Sequence, residues 1–136
     1  MNKITVSSDI NAPISKVWEY WTSPQHIQEW NFASNDWHCP NASNSFVVGG
    51  EFHYIMAAKD GSVNFDFWGT FVKINQLQSI VIVLGDGREL SVLFDETPDG
   101  TNVTEIFEPE EVNSLELQQM GWQTILNNFK DYIESN

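Results

Sequence analysis

The sequence predicts an α+β fold: a curved antiparallel sheet of about six to seven strands wrapped around a long C-terminal helix, with two short helices after the first strand. Three observations predict it. Short β-rich runs, separated by turn signals, follow one another from Phe46 to Phe107. Apolar residues recur at helical spacing over residues 14–21, before a Ser-Pro helix-start signal, and again in the C-terminal stretch. A sheet with one apolar face and a single long amphipathic helix bury each other's apolar surface, which makes a two-layer arrangement the stable solution.

Taken in order, residues 3–10, KITVSSDI, alternate and form a first strand. Asn11-Ala12-Pro13 breaks it, and Pro13 suits the first turn of a helix. Ile14, Val17, Trp18 and Trp21 then mark a short amphipathic helix over 14–21. Ser23-Pro24 signals a second short helix ending near Trp30. Residues 31–45 are rich in Asn, Ser and Pro and read mostly as loop, with a short strand around 36–39. From there GEFHYIMAA leads to the hairpin signal KDG, followed by SVNFDFWGTFVKI, QSIVIVLG, the turn GDGR, ELSVLFDE, the turn TPDG and TNVTEIF. The regular spacing implies an antiparallel meander.

The last element is helical. Asn113 serves as N-cap, with Glu116 three residues on in a capping-box pattern. Trp122, Ile125, Leu126, Phe129 and Ile133 make one apolar stripe that places the helix on the sheet. About 20 residues of helix span roughly 30 Å, enough to cross most of such a sheet. The acidic run EPEE before it favours the positive end of the helix dipole. Gly121 interrupts the stripe directly before Trp122, at a cost of about 1 kcal/mol relative to alanine. Either the sheet backbone approaches closely there, or the missing side chain leaves room for a pocket.

The 136 residues suit one domain over 1–136. Apolar residues make up 41%, enough for a sizeable core. Six Trp and nine Phe are many for this length, and large rings fill cores or line apolar pockets. The net charge is −13, and the six basic residues are scattered. With no basic stripe to neutralise phosphates, nucleic acid and anionic membrane surfaces are not expected partners. Cys39 is alone, so no internal disulfide forms. The N-terminus lacks the apolar run of a signal peptide, and no window approaches the roughly 18 apolar residues of a membrane span. The expectation is a soluble cytoplasmic protein without membrane insertion.

Several residues could carry chemistry. His38-Cys39, with His26 and His53, lacks metal-ligand spacing, so neither metal nor cofactor is expected. Asp66 stands among Phe65, Phe67 and Trp68; alternation puts Phe65, Phe67, Gly69 and Phe71 on one face. That aromatic face is the better inner face, which leaves Asp66 in solvent, although Trp68 and Val72 then lie outside too. Glu105 shares its face with Val103 and Phe107; if that face is inward, it is a buried carboxylate in need of a partner. Tyr54 either offers its hydroxyl as a polar anchor in a cavity or packs with the hydroxyl reaching solvent. Gly49-Gly50 lacks the strand–glycine–helix context of a phosphate loop.

Residues 10–30 (INAPISKVWEYWTSPQHIQEW), VGGEFHY at 48–54, WGTFVKINQLQSIVI at 68–82, GTNVT at 100–104 and GWQTILNNFKDYI at 121–133 match a known pattern in order. The chain resembles the START-like helix-grip superfamily, and within it proteins similar to the C-terminal domain of the activator of Hsp90 ATPase. The resemblance implies a hydrophobic cavity between sheet and long helix. Together with the aromatic loading, it leads us to expect a small hydrophobic or aromatic ligand, with Trp30, Phe52, Tyr54, Phe65, Phe67, Phe94, Trp122, Leu126 and Phe129 as candidate cavity residues. Two other expectations remain: a co-chaperone-like protein-interaction module acting on an Hsp90-type ATPase, and a cyclase- or hydrolase-type enzyme using a cavity carboxylate.

Overall fold

The computed structural model describes residues 3–136. Among them, the elements run β1 (Ile4–Ile10), α1 (Ile14–Thr22), α2 (Pro24–Trp30), β2 (Trp37–Asn44), β3 (Glu51–Ala58), β4 (Asn64–Asn75), β5 (Ser79–Leu84), β6 (Glu89–Thr97), β7 (Gly100–Phe107) and α3 (Leu115–Glu134). The seven strands form one antiparallel sheet in the order β1-β7-β6-β5-β4-β3-β2. β2 to β7 are thus a meander, and β1 closes the other side by pairing with β7. The sheet curls into a half-barrel around α3.

Alternation explains which face is inward. In β5, Ile80, Ile82 and Leu84 are buried while their neighbours are half-buried, and Leu90, Val92 and Phe94 do the same in β6. In β7 the inward row is Thr101, Val103, Glu105 and Phe107. β4 turns Phe67, Gly69 and Phe71 inward, leaving Asp66 and Trp68 on the outer face. Its pairing with β5 slips by one residue between Phe71 and Lys73, a bulge that leaves Val72 exposed and bends the strand. At Gly69 a Cβ would lie 2.7 Å from the Val83 carbonyl oxygen and 3.0 Å from the Phe52 ring. Only glycine lets the strands coil that tightly there.

Two local expectations are corrected. The stretch expected to be mostly loop, with a short strand around 36–39, carries an eight-residue strand, Trp37–Asn44. β2 is an edge strand, so it needs pairing on one side only, and its polar composition hides it. Pro40 sits where the register shifts between His38 and Asn41, a position that needs no amide donor. The N-cap of α3 is Ser114, not Asn113: the Ser114 Oγ accepts from the Leu117 amide at 3.1 Å. Asn113 is already engaged by Glu110, donating its amide at 2.6 Å and its Nδ2 at 3.2 Å.

α3 packs unevenly along its length. In its C-terminal half Leu126, Phe129 and Ile133 are fully buried, each contributing about 1.5–3 kcal/mol through burial. Phe129 meets Trp21 and Trp30 at ring-centroid distances of 4.9 Å, and those two tryptophans lie 4.9 Å from each other. The helix also covers the free edge of β1. Gln119 and Gln123 donate their Nε2 to the carbonyls of Thr5 and Ser7 at 3.3 and 3.1 Å, and Lys130 donates to Asp9 at 2.6 Å. At the opposite edge Gln28 of α2 donates to the Pro40 carbonyl at 2.7 Å. In its N-terminal half the helix meets the sheet at the β1 edge through Gln119 and Gln123 and over β7 through the Trp122 ring, stacked on Phe107 at 3.9 Å, and leaves a gap over the strands beyond.

Candidate functional site

That gap is a cavity of about 370 Å³ between α3 and the inner face of β3 to β7. The helix contributes Leu117, Gln118, Gly121, Trp122 and Ile125 to its wall. These residues share one helical face because they recur at three- and four-residue spacing. Gly121 settles the question raised by its sequence: a Cβ placed there would find no heavy atom within 4 Å. The glycine opens onto the cavity and is not pressed against the sheet.

Of the rings and side chains expected at a cavity, Trp30, Phe52, Tyr54, Phe65, Phe67 and Trp122 line it. Phe94, Leu126 and Phe129 do not. They are at most 3% exposed and belong to the packed half of the core. Leu126 and Phe129 lie on the C-terminal half of α3, where Phe129 packs on Trp21 and Trp30, whereas the helix residues on the cavity wall all lie between Leu117 and Ile125. Wall residues outside the expected set include Trp21, Phe46, Phe71 and Met56. Trp21 had a signal in its helical spacing, and Phe71 in its place on the aromatic face of β4. Phe46 comes from a loop, where no periodicity points inward. Phe65 and Leu117, each about half exposed, stand on the same wall and mark the side where the cavity meets solvent.

The polar groups on the wall are few, and most are occupied. Gln118, buried, accepts from the Glu110 amide at 2.9 Å and donates to the carbonyls of Glu110 and Asn113 at 3.1 and 2.8 Å. It fastens the loop before α3. Asn31 donates to the Met56 sulfur at 3.4 Å. The Tyr54 hydroxyl accepts from Asn44 Nδ2 at 3.1 Å, and burial raises its pKa well above the ordinary phenol value, so it stays neutral. Arg88 donates its Nε to Asp86 at 2.8 Å and Nη1 to the Glu108 carbonyl at 3.2 Å.

Glu105 differs from all of these. It faces inward on β7, cross-strand from Val6 and Val92, and lies on the cavity wall. Among the described residues none hydrogen-bonds its carboxyl, and burial pushes it up to about 8. At neutral pH the group is therefore mainly a neutral acid, able to donate as well as accept.

The other titratable candidates lie elsewhere. Asp66 is on the outer face, where it holds His53 Nδ1 at 2.7 Å while Glu51 holds Nε2 at 3.0 Å. His26 contacts the Tyr132 hydroxyl at 2.8 Å and stacks on Tyr20 at 3.8 Å. Cys39 is buried beside the Asn41 carbonyl, and burial pushes its thiol up to about 11. Among the described residues no group of three His, Cys, Asp or Glu side chains is placed to hold a metal ion. Among them, too, no helix is long and apolar enough to cross a membrane.

A half-barrel that grips one long helix around an apolar cavity defines a helix-grip protein. The chain belongs to the family described as Activator of Hsp90 ATPase homolog 1-like protein, whose profile matches residues 11–134. Similar solved structures include an AHSA1-like protein from Aeromonas hydrophila, 45% identical over 98% of this chain and 93% of that one, with a TM-score of 0.93. A protein from Cytophaga hutchinsonii is 50% identical over 100% of this chain and 94% of its own, with a TM-score of 0.86. A protein from Chromobacterium violaceum shares the fold at 16% identity, covering 100% of both chains with a TM-score of 0.89. No curated protein matches the chain.

Proposed function

We propose that the protein binds a small hydrophobic or aromatic molecule in the cavity between α3 and the sheet. The observation that carries this reading is the aromatic wall around an open volume at Gly121. The volume falls within the roughly 300–1,000 Å³ of ligand pockets, and an apolar wall with a few fixed polar groups is their usual composition. Heat-denaturation scans against lipids and aromatic metabolites test it, because a ligand that binds only the folded state raises the melting temperature. Failure of every compound to stabilise the protein would overturn it.

Glu105 favours a second reading, an enzyme of cyclase or hydrolase type in which this carboxyl acts as general acid or base. A pKa of about 8 lies close to the working range for such a role. Under this reading Glu105→Gln abolishes turnover of a bound compound while leaving its binding intact; unchanged turnover refutes it. A co-chaperone role rests on the family description and the acidic surface. Unaltered rates of an Hsp90-type ATPase on addition of the protein would count against it.

A further inference from the structure

We propose that the cavity selects molecules carrying a protonated amine on an apolar or aromatic body, with Glu105 as the counter-charge; this rests on the cavity-binding reading above. Glu105 is a carboxyl placed cross-strand from Val6 and Val92, with no hydrogen-bond donor among the described residues. Burying such a group unpaired is unfavourable, and a fold that retains it gains when an occupant brings the missing partner. What that partner must be follows from the charges around it.

Arg88 is the basic side chain on the wall, and its guanidinium is held by Asp86 and the Glu108 carbonyl. Glu110, at the loop before α3, adds a second wall carboxylate, which accepts from the Asn113 amide and Nδ2. From α3, Gln118 offers nothing further, because its side-chain oxygen and nitrogen are committed to the loop backbone. With Glu105 protonated in the empty cavity, the charge of the wall left without a counter-ion is that of Glu110, and Arg88, paired with Asp86, offers no free cation to compete with an incoming amine. Tryptophan and phenylalanine rings share the cavity wall with Glu105, and aromatic π-systems attract a cation but not a neutral oxygen ligand. A net charge of −13 also raises the local concentration of cations at the surface. Binding an ammonium group converts the Glu105 acid to carboxylate and releases its proton to solvent.

The test compares naphthalene-2-methylamine with its neutral isostere naphthalene-2-methanol. Affinity and proton release are read by calorimetry in two buffers of different ionisation enthalpy, on the wild type and on Glu105→Gln. We expect the amine to bind the wild type at least about tenfold tighter, the equivalent of one charge-assisted hydrogen bond. We expect that binding to release protons, and the preference for amine over alcohol to vanish in Glu105→Gln. Proton release is measured on the unaltered protein, so the test holds even where the variant is destabilised. Equal affinities, tighter binding of the alcohol, absence of proton release, or a preference that survives Glu105→Gln overturns the inference while leaving the cavity reading in place. If neither probe binds and no neutral aromatic stabilises the protein, both fall together.

Discussion

Substitution of Gly121 separates a packed helix from one that borders a void. The Cβ of Gly121→Ala meets no heavy atom within 4 Å, so no steric penalty opposes the gain in helix propensity. That gain is about 0.5–1 kcal/mol, part of it from the smaller entropy of the unfolded chain. For a chain of this size it corresponds to a rise of roughly 2–5 °C in melting temperature. Gly121→Leu carries the argument further. Four side-chain carbons, each taking about the ~30 Å³ of a water molecule, occupy on the order of 120 Å³. That is about a third of the 370 Å³ available. We expect Gly121→Leu to melt no lower than wild type and to lose affinity for every compound that stabilises the wild type. Calorimetric melting with and without such a compound reads both effects. A drop of several degrees in either variant would refute the reasoning, because it would mean that the sheet presses on the helix at this point.

Glu105 makes stability depend on pH. Its folded pKa of about 8 lies above the ordinary carboxyl value of 4.5, so this group's contribution is fully present below pH 4.5 and is lost as pH rises towards 8. At about 1.4 kcal/mol per pKa unit the loss is on the order of a few kcal/mol, and urea titrations of Glu105→Gln should show it removed. His53, held by carboxylates at both ring nitrogens, has its pKa raised above 6.5, chiefly by the hydrogen bond to Asp66. The contribution of these pairs is full below pH 6.5 and fades as pH rises through the raised value; NMR titration should show the His53 pKa falling in Asp66→Asn. Ser114→Ala removes the cap of α3 and should cost about 1 kcal/mol in denaturant melts, whereas Asn113→Ala leaves the Leu117 amide capped.

Much of the fold is legible in the sequence because its signals are local. The β-rich runs SIVIVL, ELSVLF and TNVTEIF and the turns between them locate β5, β6 and β7, and in the structure alternate residues of each form a buried row. β2 was legible only in part: a short strand was expected around 36–39, and its extension to Asn44 was not, because a polar edge strand satisfies one row of backbone groups and buries few side chains. The cavity was partly legible. Phe52, Phe67 and Trp122 follow from strand and helix periodicity, as do Phe94 and Phe129, yet only the first three border open space. Which inward ring meets a void depends on where α3 lifts from the sheet, a matter of summed volumes that no period encodes. Glu105 was legible only conditionally: its face follows from Val103 and Phe107, but the absence of any donor opposite it depends on the neighbouring strands and helix.

The three hydrogen bonds from Gln119, Gln123 and Lys130 to alternate carbonyls of β1 place α3 where an eighth strand would otherwise add. A strand edge with free carbonyls is a template for another chain. The helix that borders the cavity is thus also the guard of that edge. Partial detachment of α3, well short of unfolding, would expose both the aromatic wall and a strand able to recruit its like. Self-association on heating should therefore begin with loss of the helix, before the sheet melts, and a molecule that fills the cavity would delay it.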